Sequence, residues 1–294
     1  MFLFEAISDF LLEQRFRGNS KATVSDYQTK LSKFQVYADF GFEISDLNLT
    51  FIRSYYYYLS NTLDNSITIQ SYVRALRVFL NWLYSKELID EDLCSRFKLP
   101  KARKPYINVL SDSEIITLYN CYSDYSNPLH TRNKVILSLM LDCGLRLDEV
   151  VTLERSNLHL SDRYIIVTGK GNKQRCVRFG DTTFRFLSTY LKQFPRGQPL
   201  LYCSDGSPLT QSSIKNMFRR LKKQSGIDRL HPHLLRHTFA TKFLESGGDI
   251  YTLKDLLGHT TLKQTQQYLH IAKTRIIPDY ERYSPLDNIK KANP

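Results

Sequence analysis

Three motifs near the carboxyl end decide the fold: H-P-H-L-L-R-H-T-F-A-T at 231–241, L-L-G-H at 256–259 and Q-Q-Y-L-H at 266–270. His233 and Arg236 are three residues apart, a spacing that places both side chains on one face of a helix. His259 and Tyr268 follow in the next two motifs. The stretch therefore predicts helices that bring two histidines, an arginine and a phenol to one site.

Two motifs upstream contribute further charged groups: C-G-L-R-L-D-E-V at 143–150 and T-G-K-G-N-K-Q-R at 168–175. In the first, Arg146 begins a short helix, and Glu149 lies one turn later, where it can brace that arginine. In the second, β-type runs at Tyr164–Thr168 and Arg175–Phe179 flank a glycine-rich turn. The pattern predicts a hairpin with Lys170 at its tip.

These residue types suit attack on a phosphodiester by a phenol. Free tyrosine has a pKa of about 10, so a base must accept its proton near neutral pH. Negative charge collects on the non-bridging oxygens, and a planar guanidinium donates two hydrogen bonds to such oxygens without losing its charge. The leaving sugar oxygen needs a proton, which a lysine can supply.

Each role in this chemistry has a candidate residue. The predicted catalytic set is Arg146 and Arg236 as phosphate clamp, His233 as base or phosphate ligand, His259 as hydrogen-bond donor, Lys170 as general acid and Tyr268 as nucleophile. Glu149 is the predicted supporting residue, and His231 and His237 are interpreted as structural. Any one of these residues alone would be an ordinary packing or surface group, so the prediction depends on their occurring together. No metal ion or other cofactor is expected, because two arginines supply the charge stabilisation.

The first hundred residues show helical spacing and no strand pattern. Apolar residues recur at helical intervals over four segments: 2–16, Ser20 to before Gly41, Thr50–Ser60 and Ser66–Leu88. The expected inward positions of the fourth segment are Val73, Leu76, Leu80 and Leu83. This part is interpreted as a small helical domain over residues 1–98.

A basic, proline-containing stretch, L-P-K-A-R-K-P-Y, follows that domain. Proline disfavours helix at the preceding residue, so residues 99–107 are interpreted as an extended linker. The second domain, 108–294, opens with a helix start at Ser111–Glu114 and contains a buried helix at Arg132–Asp142. Its further predicted helices are Thr182–Gln193, Thr210–Ser225, Pro232–Ser246, Ile250–Leu257 and Leu262–Ala272. The expected fold class is mainly α with a small β-sheet, in two domains.

The positive charge is concentrated in the second domain and the linker. The formal net charge is +12, yet residues 1–100 carry 11 basic and 12 acidic side chains. The excess lies in the part that holds the candidate site, which indicates a polyanionic partner. The candidate DNA-binding residues are Arg74, Arg77, Lys101, Arg103, Lys104, Lys173 and Arg175.

The cysteine pattern indicates reduced thiols, and the hydrophobic pattern bears on membrane attachment. The five cysteines are scattered and form no C-x-x-C motif, so neither disulfides nor a zinc site is expected. The apolar N-terminus carries Glu5 and Asp9 and lacks a basic leader, and no apolar run is long enough to cross a bilayer. A cytoplasmic location without membrane attachment is expected.

The five motifs resemble the active-site boxes of the tyrosine recombinase/integrase family, especially its small Xer-like members. The likeness is strong over roughly 108–272 and extends to the N-terminal helices, which are similar to the family's SAM-like core-binding domain. It implies a metal-independent enzyme that forms a 3′-phosphotyrosyl link, frees a 5′-hydroxyl and exchanges strands through a Holliday junction. It also implies a clamp on duplex DNA.

The resemblance further implies an assembly on DNA. Family members act as tetramers on two sites, so a homo-tetramer or a hetero-tetramer with a paralogue is expected, with accessory DNA-bending proteins as further partners. By the same likeness, the segment from about Lys273 to Pro294 would dock on a neighbouring protomer.

Two other functions compete with this prediction. A type IB topoisomerase-like relaxing enzyme shares the phosphotyrosine chemistry, but the helical N-terminal domain and the tail favour recombination. A DNA-binding regulator would read a site without cutting it, and the presence of all six catalytic positions argues against that class. A metal-dependent nuclease is disfavoured because its carboxylate cluster is missing.

Overall fold

The computed structural model describes residues 1–100, 108–124, 126–169, 172–194, 197 and 199–272. The chain divides into two compact units, Met1–Tyr106 and Ile107–Pro294. The predicted linker residues from Lys101 onward, Lys170 and the predicted exchange segment lie outside the described residues. The two units are therefore considered separately.

Within its described residues the first unit is built mainly from α-helices, with a short 3-10 helix at Ile44–Asp46 and an isolated β-bridge between Phe2 and Glu43. Its helices are α1 (Leu3–Phe16), α2 (Lys21–Ala38), α3 (Leu49–Thr62), α4 (Ser66–Ser85) and α5 (Leu93–Arg96). The four predicted helices are confirmed, and the short α5 is an addition. Helix α4 ends before the predicted Leu88 because Glu87 adopts a positive φ of 57°, which right-handed helix does not allow.

An aromatic core holds the first unit together. Phe10 on α1 makes edge contacts with Phe79 and Trp82 on α4, at centroid separations of 5.5 and 5.6 Å. The predicted inward positions of α4 are all buried. In the tyrosine run of α3, Tyr55 is buried and Tyr57 is 70% exposed, so only part of that run packs inward.

The second unit combines eight α-helices, a short 3-10 helix (Arg155–Asn157) and one small sheet among its described residues. The helices are α6 (Asp112–Asn120), α7 (Pro128–Leu141), α8 (Leu147–Val151), α9 (Asp181–Gln193), α10 (Gln211–Ser225), α11 (Pro232–Glu245), α12 (Ile250–Leu257) and α13 (Leu262–Ala272). The mainly α fold class is confirmed. No helix within the described ranges has both the length and the hydrophobicity that a bilayer crossing requires.

Capping residues fix where the helices of the second unit begin. The predicted start of α6 is confirmed as a capping box, in which Ser111 and Glu114 bond each other's backbone N–H groups. Helix α7 begins four residues before the predicted start, because the Asn127 side chain accepts from Leu129 N and Pro128 occupies the first turn. As predicted, α7 is buried: Val135 to Met140 are shielded from solvent.

The sheet is antiparallel in the order β1 (Leu158–His159), β2 (Tyr164–Thr168) and β3 (Gln174–Arg178). The predicted β2–β3 hairpin is confirmed, with Tyr164 opposite Arg178 and Thr168 opposite Gln174. The two-residue β1 is too short to show a period-two pattern, so the sequence did not reveal it. The hairpin register directs Arg175 toward the end of α12, near the candidate site.

Candidate active site

Helix α11 supplies three polar side chains to the candidate active site, namely His233, Arg236 and His237. His231 precedes the helix, and Pro232 occupies its first position, where a missing N–H has no consequence. Arg236 turns inward and is 4% exposed, whereas His233 is exposed. Of the two residues that the spacing predicts on one helical face, the arginine is buried and the histidine, one turn earlier, lies at the surface.

The Arg236 guanidinium is held by main-chain oxygens. One terminal nitrogen donates to the Gly144 carbonyl at 2.5 Å, and the other donates to the Leu257 carbonyl at 2.6 Å. Gly144 has a φ of +63°, and an added Cβ would lie 2.4 Å from the Phe239 ring, so glycine is required there. Burial and the Arg146 charge lower the pKa of Arg236 to about 10, which keeps it charged at neutral pH.

Glu149 is the anionic centre around which the arginines gather. Its buried carboxylate accepts from Arg146 Nη1 at 2.9 Å and from two Arg175 nitrogens at 2.8 Å each. Arg236 Nη1 lies 3.9 Å from the same carboxylate. Burial acts to raise the pKa of Glu149, but the hydrogen bonds and charge of Arg175 outweigh it and lower the pKa. The ionised carboxylate fixes the relative positions of the arginines, and Arg146 stays 32% exposed.

Arg175, which was predicted to contact DNA, makes several bonds inside the protein. Its side chain is 11% exposed, and its Nε donates to the Leu256 carbonyl at 2.7 Å. Gly258 ends α12 with a φ of +62°, and an added Cβ there would lie 3.1 Å from Arg175 Nη1. These bonds and the pair with Glu149 hold the Arg175 guanidinium beside Arg146 and Arg236, and its predicted contact with DNA stays a prediction.

His259 connects the buried arginine to α13. Its Nε2 lies 3.3 Å from Arg236 Nη2, and its Nδ1 lies 2.9 Å from Thr265 Oγ1. Because arginine can only donate, Nε2 is the acceptor and Nδ1 carries the proton. Burial, with Arg236 and Arg146, lowers the pKa of His259 to about 4. His259 thus accepts from Arg236 in this geometry, and its predicted role as a further hydrogen-bond donor in the reaction stays a prediction.

Tyr268 lies on α13 with its ring in a small apolar cluster, and it is 2% exposed. Its hydroxyl is 2.8 Å from Nδ1 of His237 on α11. Burial raises the pKa of Tyr268, although the charges of Arg236 and Arg146 act in the opposite direction. The phenol is therefore protonated at neutral pH and hydrogen-bonded to a histidine.

His233 lies one turn before that histidine on α11, with 6.5 Å between the two ring centroids. Desolvation and the charge of Arg236 lower the pKa of His233, so it is more readily neutral than a free histidine. This placement is compatible with either role predicted for it, base or phosphate ligand.

Seven further residues were predicted to take part in catalysis or in DNA binding. Four lie outside the described residues: Lys170, Lys101, Arg103 and Lys104. Arg74 is exposed and donates to Gln70 Oε1 at 3.0 Å, and Lys173 is exposed on the hairpin. Arg77 donates to the Phe97 carbonyl at 2.6 Å, a contact that fastens the end of the first unit.

Two residues of the site gave no functional signal in the sequence, His237 and Thr265. Thr265 is fully buried and bonds His259, while His237 bonds a hydroxyl 31 residues away. The spacing of His237, four residues after His233, could have placed both on one helical face. Nothing local indicates that α13 packs against that face.

Glu149→Gln should destabilise the protein by about 3–5 kcal/mol at pH 7, because the buried arginines lose their counter-charge. The pKa of Glu149 is lowered in the folded protein, so its stabilisation is present above the unfolded value of about 4.3 and is lost as pH falls through the folded-state pKa. Urea unfolding should therefore show the difference from wild type narrowing below about pH 4.

The matched control for this prediction is Glu91→Gln, which removes an exposed ion pair with Arg96. Such surface pairs contribute about 0–1 kcal/mol, so little change is expected. A Glu149→Gln protein as stable as wild type at pH 7 would contradict the role assigned to the carboxylate.

Two family descriptions match the chain. Residues 108–275 match the Phage integrase family, and residues 2–99 match the Phage integrase SAM-like domain. The first match covers more than half of the chain and spans all six predicted catalytic positions.

Similar proteins extend over most of the chain. Tyrosine recombinase XerC of Bacillus pumilus (strain SAFR-032) is 34% identical over 287 residues, which cover 92% of this chain and 92% of that protein. Tyrosine recombinase XerD of Halalkalibacterium halodurans is 33% identical over 281 residues, with coverages of 92% and 93%. A structure of the Tn1549 transposon integrase with a circular intermediate DNA has a TM-score of 0.75 at 19% identity, over 91% of this chain and 95% of that one. At that identity, the structural likeness shows the fold.

Proposed function

The chain belongs to the Phage integrase family, and we propose that it cuts and rejoins DNA at a specific site through a 3′-phosphotyrosyl intermediate. Its relatives are tyrosine recombinases, and membership makes this chain a tyrosine recombinase, an enzyme of site-specific recombination. The finer assignments of residues, DNA contacts and assembly are proposals.

One observation carries the assignment of residues. Arg146 and Arg236 contact the same buried carboxylate of Glu149, and the next residue after Arg236 holds the Tyr268 hydroxyl. Two fixed guanidinium groups and a phenol thus come from neighbouring elements. Preorganised donors of this kind stabilise developing charge because they need no rearrangement during the reaction.

The proposed reaction uses these groups in sequence. Arg146 and Arg236 bind the non-bridging oxygens of the scissile phosphate, and Tyr268 attacks the phosphorus to free the 5′-oxygen. Lys170 is the proposed donor of a proton to that oxygen, and His233 is the proposed phosphate ligand. His259 can donate to the phosphate once Nε2 is protonated, a change that the negative charge of a bound phosphate favours.

The arginines make a cofactor unnecessary in this proposal. They supply the positive charge that phosphoryl transfer in other enzymes takes from metal ions. Activity is therefore expected in a buffer that contains a chelator.

Double-stranded DNA carrying a recombination site is the proposed partner. The Tn1549 integrase structure contains DNA, and its fold covers most of this chain, which supports the proposal. Exposed Arg74 and Lys173 are proposed backbone contacts, together with Lys101, Arg103 and Lys104. We propose a tetramer on two sites, formed by this chain alone or with a paralogue, that resolves a Holliday junction, assisted where needed by DNA-bending proteins.

The test of this function is a supercoiled plasmid with two directly repeated copies of the target site, obtained by selection from random DNA. Incubation without divalent metal should yield two smaller circles, and a plasmid with one site should yield none. Relaxation of both plasmids without exchange would instead support the topoisomerase alternative, and binding without any product would support a regulator.

A further inference from the structure

The hydrogen bond between His237 and Tyr268 has no role among the functions assigned above. His237 Nδ1 lies 2.8 Å from the Tyr268 hydroxyl, and the two ring centroids are 5.6 Å apart. Helix α13 packs on α11, and the tyrosine is 2% exposed. The hydroxyl of the proposed nucleophile is thus in direct contact with a nitrogen that can accept a proton.

The neighbouring histidines are less well placed for that task. The Nε2 lone pair of His259 already accepts from Arg236, and its Nδ1 is bonded to Thr265. His233 is exposed, and its ring centroid lies 6.5 Å from that of His237. His233 therefore lies one turn before His237 on the helix and is more exposed to solvent.

We propose that His237 is the proton acceptor for Tyr268 in the cleavage step. The bond from the phenolic oxygen to phosphorus forms while the phosphorus–5′-oxygen bond breaks, and the phenolic proton moves to His237 Nδ1. A separate acid protonates the leaving 5′-oxygen, and in the reverse reaction His237 returns its proton to the phenol. This proposal rests on the assignment of Tyr268 as nucleophile.

The charges around the pair keep this base neutral. Burial, His233, His231 and Arg236 lower the pKa of His237 to about 4, so its ring is uncharged at neutral pH and has a lone pair to offer. The charged and titratable groups that face the pair are His231, His233, Arg236, Arg146 and His259. A phosphodiester bound at the arginines offsets their charge, which strengthens His237 as a base when substrate is present.

Two substitutions separate proton transfer from positioning. His237→Asn keeps an oxygen near the place of Nδ1 that can accept the hydrogen bond but not hold a proton, whereas His237→Ala removes both functions. Single-turnover formation of the covalent complex on a nicked duplex should slow by about 10²–10³-fold in both variants, with DNA affinity unchanged. His159→Asn is the matched control, since His159 stacks on Tyr164 elsewhere in the same unit.

The pH dependence of cleavage gives a readout that a purely structural role would not change. The wild-type rate should vary little from about pH 6 to 8, because His237 is already neutral there. In His237→Asn, hydroxide must remove the proton, so the gap to wild type should narrow by about tenfold per pH unit. Incorporation of 3-fluorotyrosine at position 268, a more acidic phenol, should recover about tenfold or more in the Asn variant and little in wild type.

The outcomes separate this proposal from the function on which it rests. If Tyr268→Phe still forms the covalent complex, the nucleophile is misassigned and the proposed function fails with it. If Tyr268→Phe is inactive but His237→Asn cleaves within about threefold of wild type at every pH, the acceptor role of His237 is refuted and the nucleophile stands. An Asn variant that is slow, steeply pH-dependent and rescued by fluorotyrosine supports the proposal.

Discussion

Tyr268→Phe should abolish the covalent protein–DNA complex while leaving the fold and DNA binding in place. The phenolic oxygen is the proposed nucleophile, and phenylalanine has no atom to replace it, so cleavage should fall by more than about 10⁴-fold. The substrate is a duplex with a nick beside the scissile phosphate, from which the short 5′-hydroxyl fragment diffuses away. A denaturing gel in chelator then shows the trapped complex with wild type alone.

Loss of the Tyr268 hydroxyl should lower the stability of the protein only modestly, in contrast to its large effect on the cleavage rate. The substitution leaves the half-buried His237 Nδ1 without its hydrogen-bond partner, which costs about 1–3 kcal/mol. Tyr55→Phe is the matched control: Tyr55 is equally buried, and within the described residues its hydroxyl has no hydrogen-bond partner. This control should be as active as wild type.

A covalent complex formed by Tyr268→Phe would assign the nucleophile to another residue. Mass spectrometry of the trapped peptide would then identify it. A complex absent from wild type as well, with tight binding retained, would favour a regulator that does not cut DNA.

Arg236→Lys should lower the rate of covalent complex formation by about 10²–10³-fold with a smaller effect on DNA affinity. A lysine has a single point charge and cannot hold the Gly144 and Leu257 carbonyls together while also facing a phosphate. Burial adds a second effect. Burial lowers the pKa of Arg236 to about 10, and the same desolvation would lower the pKa of a lysine at this position below its ordinary value.

Because of this lowered pKa, the rate defect of Arg236→Lys should depend on pH. A lysine with a lowered pKa gains charge as pH falls, so the defect should shrink toward lower pH, measured as the ratio of cleavage rates to wild type. The control is Arg229→Lys, since Arg229 also joins a carboxylate, Glu114, to main-chain oxygens but lies outside the site. A defect in Arg236→Lys that is no larger than that of the control would contradict the phosphate-binding role of Arg236.

Much of the fold could be predicted because its signals are local. The apolar positions of α4 repeat at helical spacing and are buried as expected, and the Ser111–Glu114 capping box marks the start of α6. The errors are also local in origin. Asn127 and Pro128 mark the start of α7 ahead of the predicted one, and strand β1 is too short to carry a pattern.

The candidate site could be predicted only in part, because several of its contacts join segments that are distant along the chain. Motif spacing singled out Arg146, Arg236 and Tyr268, and the structure ties the two arginines to one carboxylate. Arg175 was read as a surface cation because its exposure depends on where α12 ends. His237 was read as structural because its partner lies 31 residues further along the chain.

The sequence by itself determined the helices, the hairpin and the division of charge, and it singled out most of the side chains proposed to react, because each of these signals depends on residues that are close along the chain. The tertiary structure alone decided which groups touch. Packing of α13 on α11 pairs Tyr268 with His237, and the carbonyls at the end of α12 orient Arg175 and Arg236. These contacts join distant segments, and burial then shifts the pKa values on which the proposed chemistry depends.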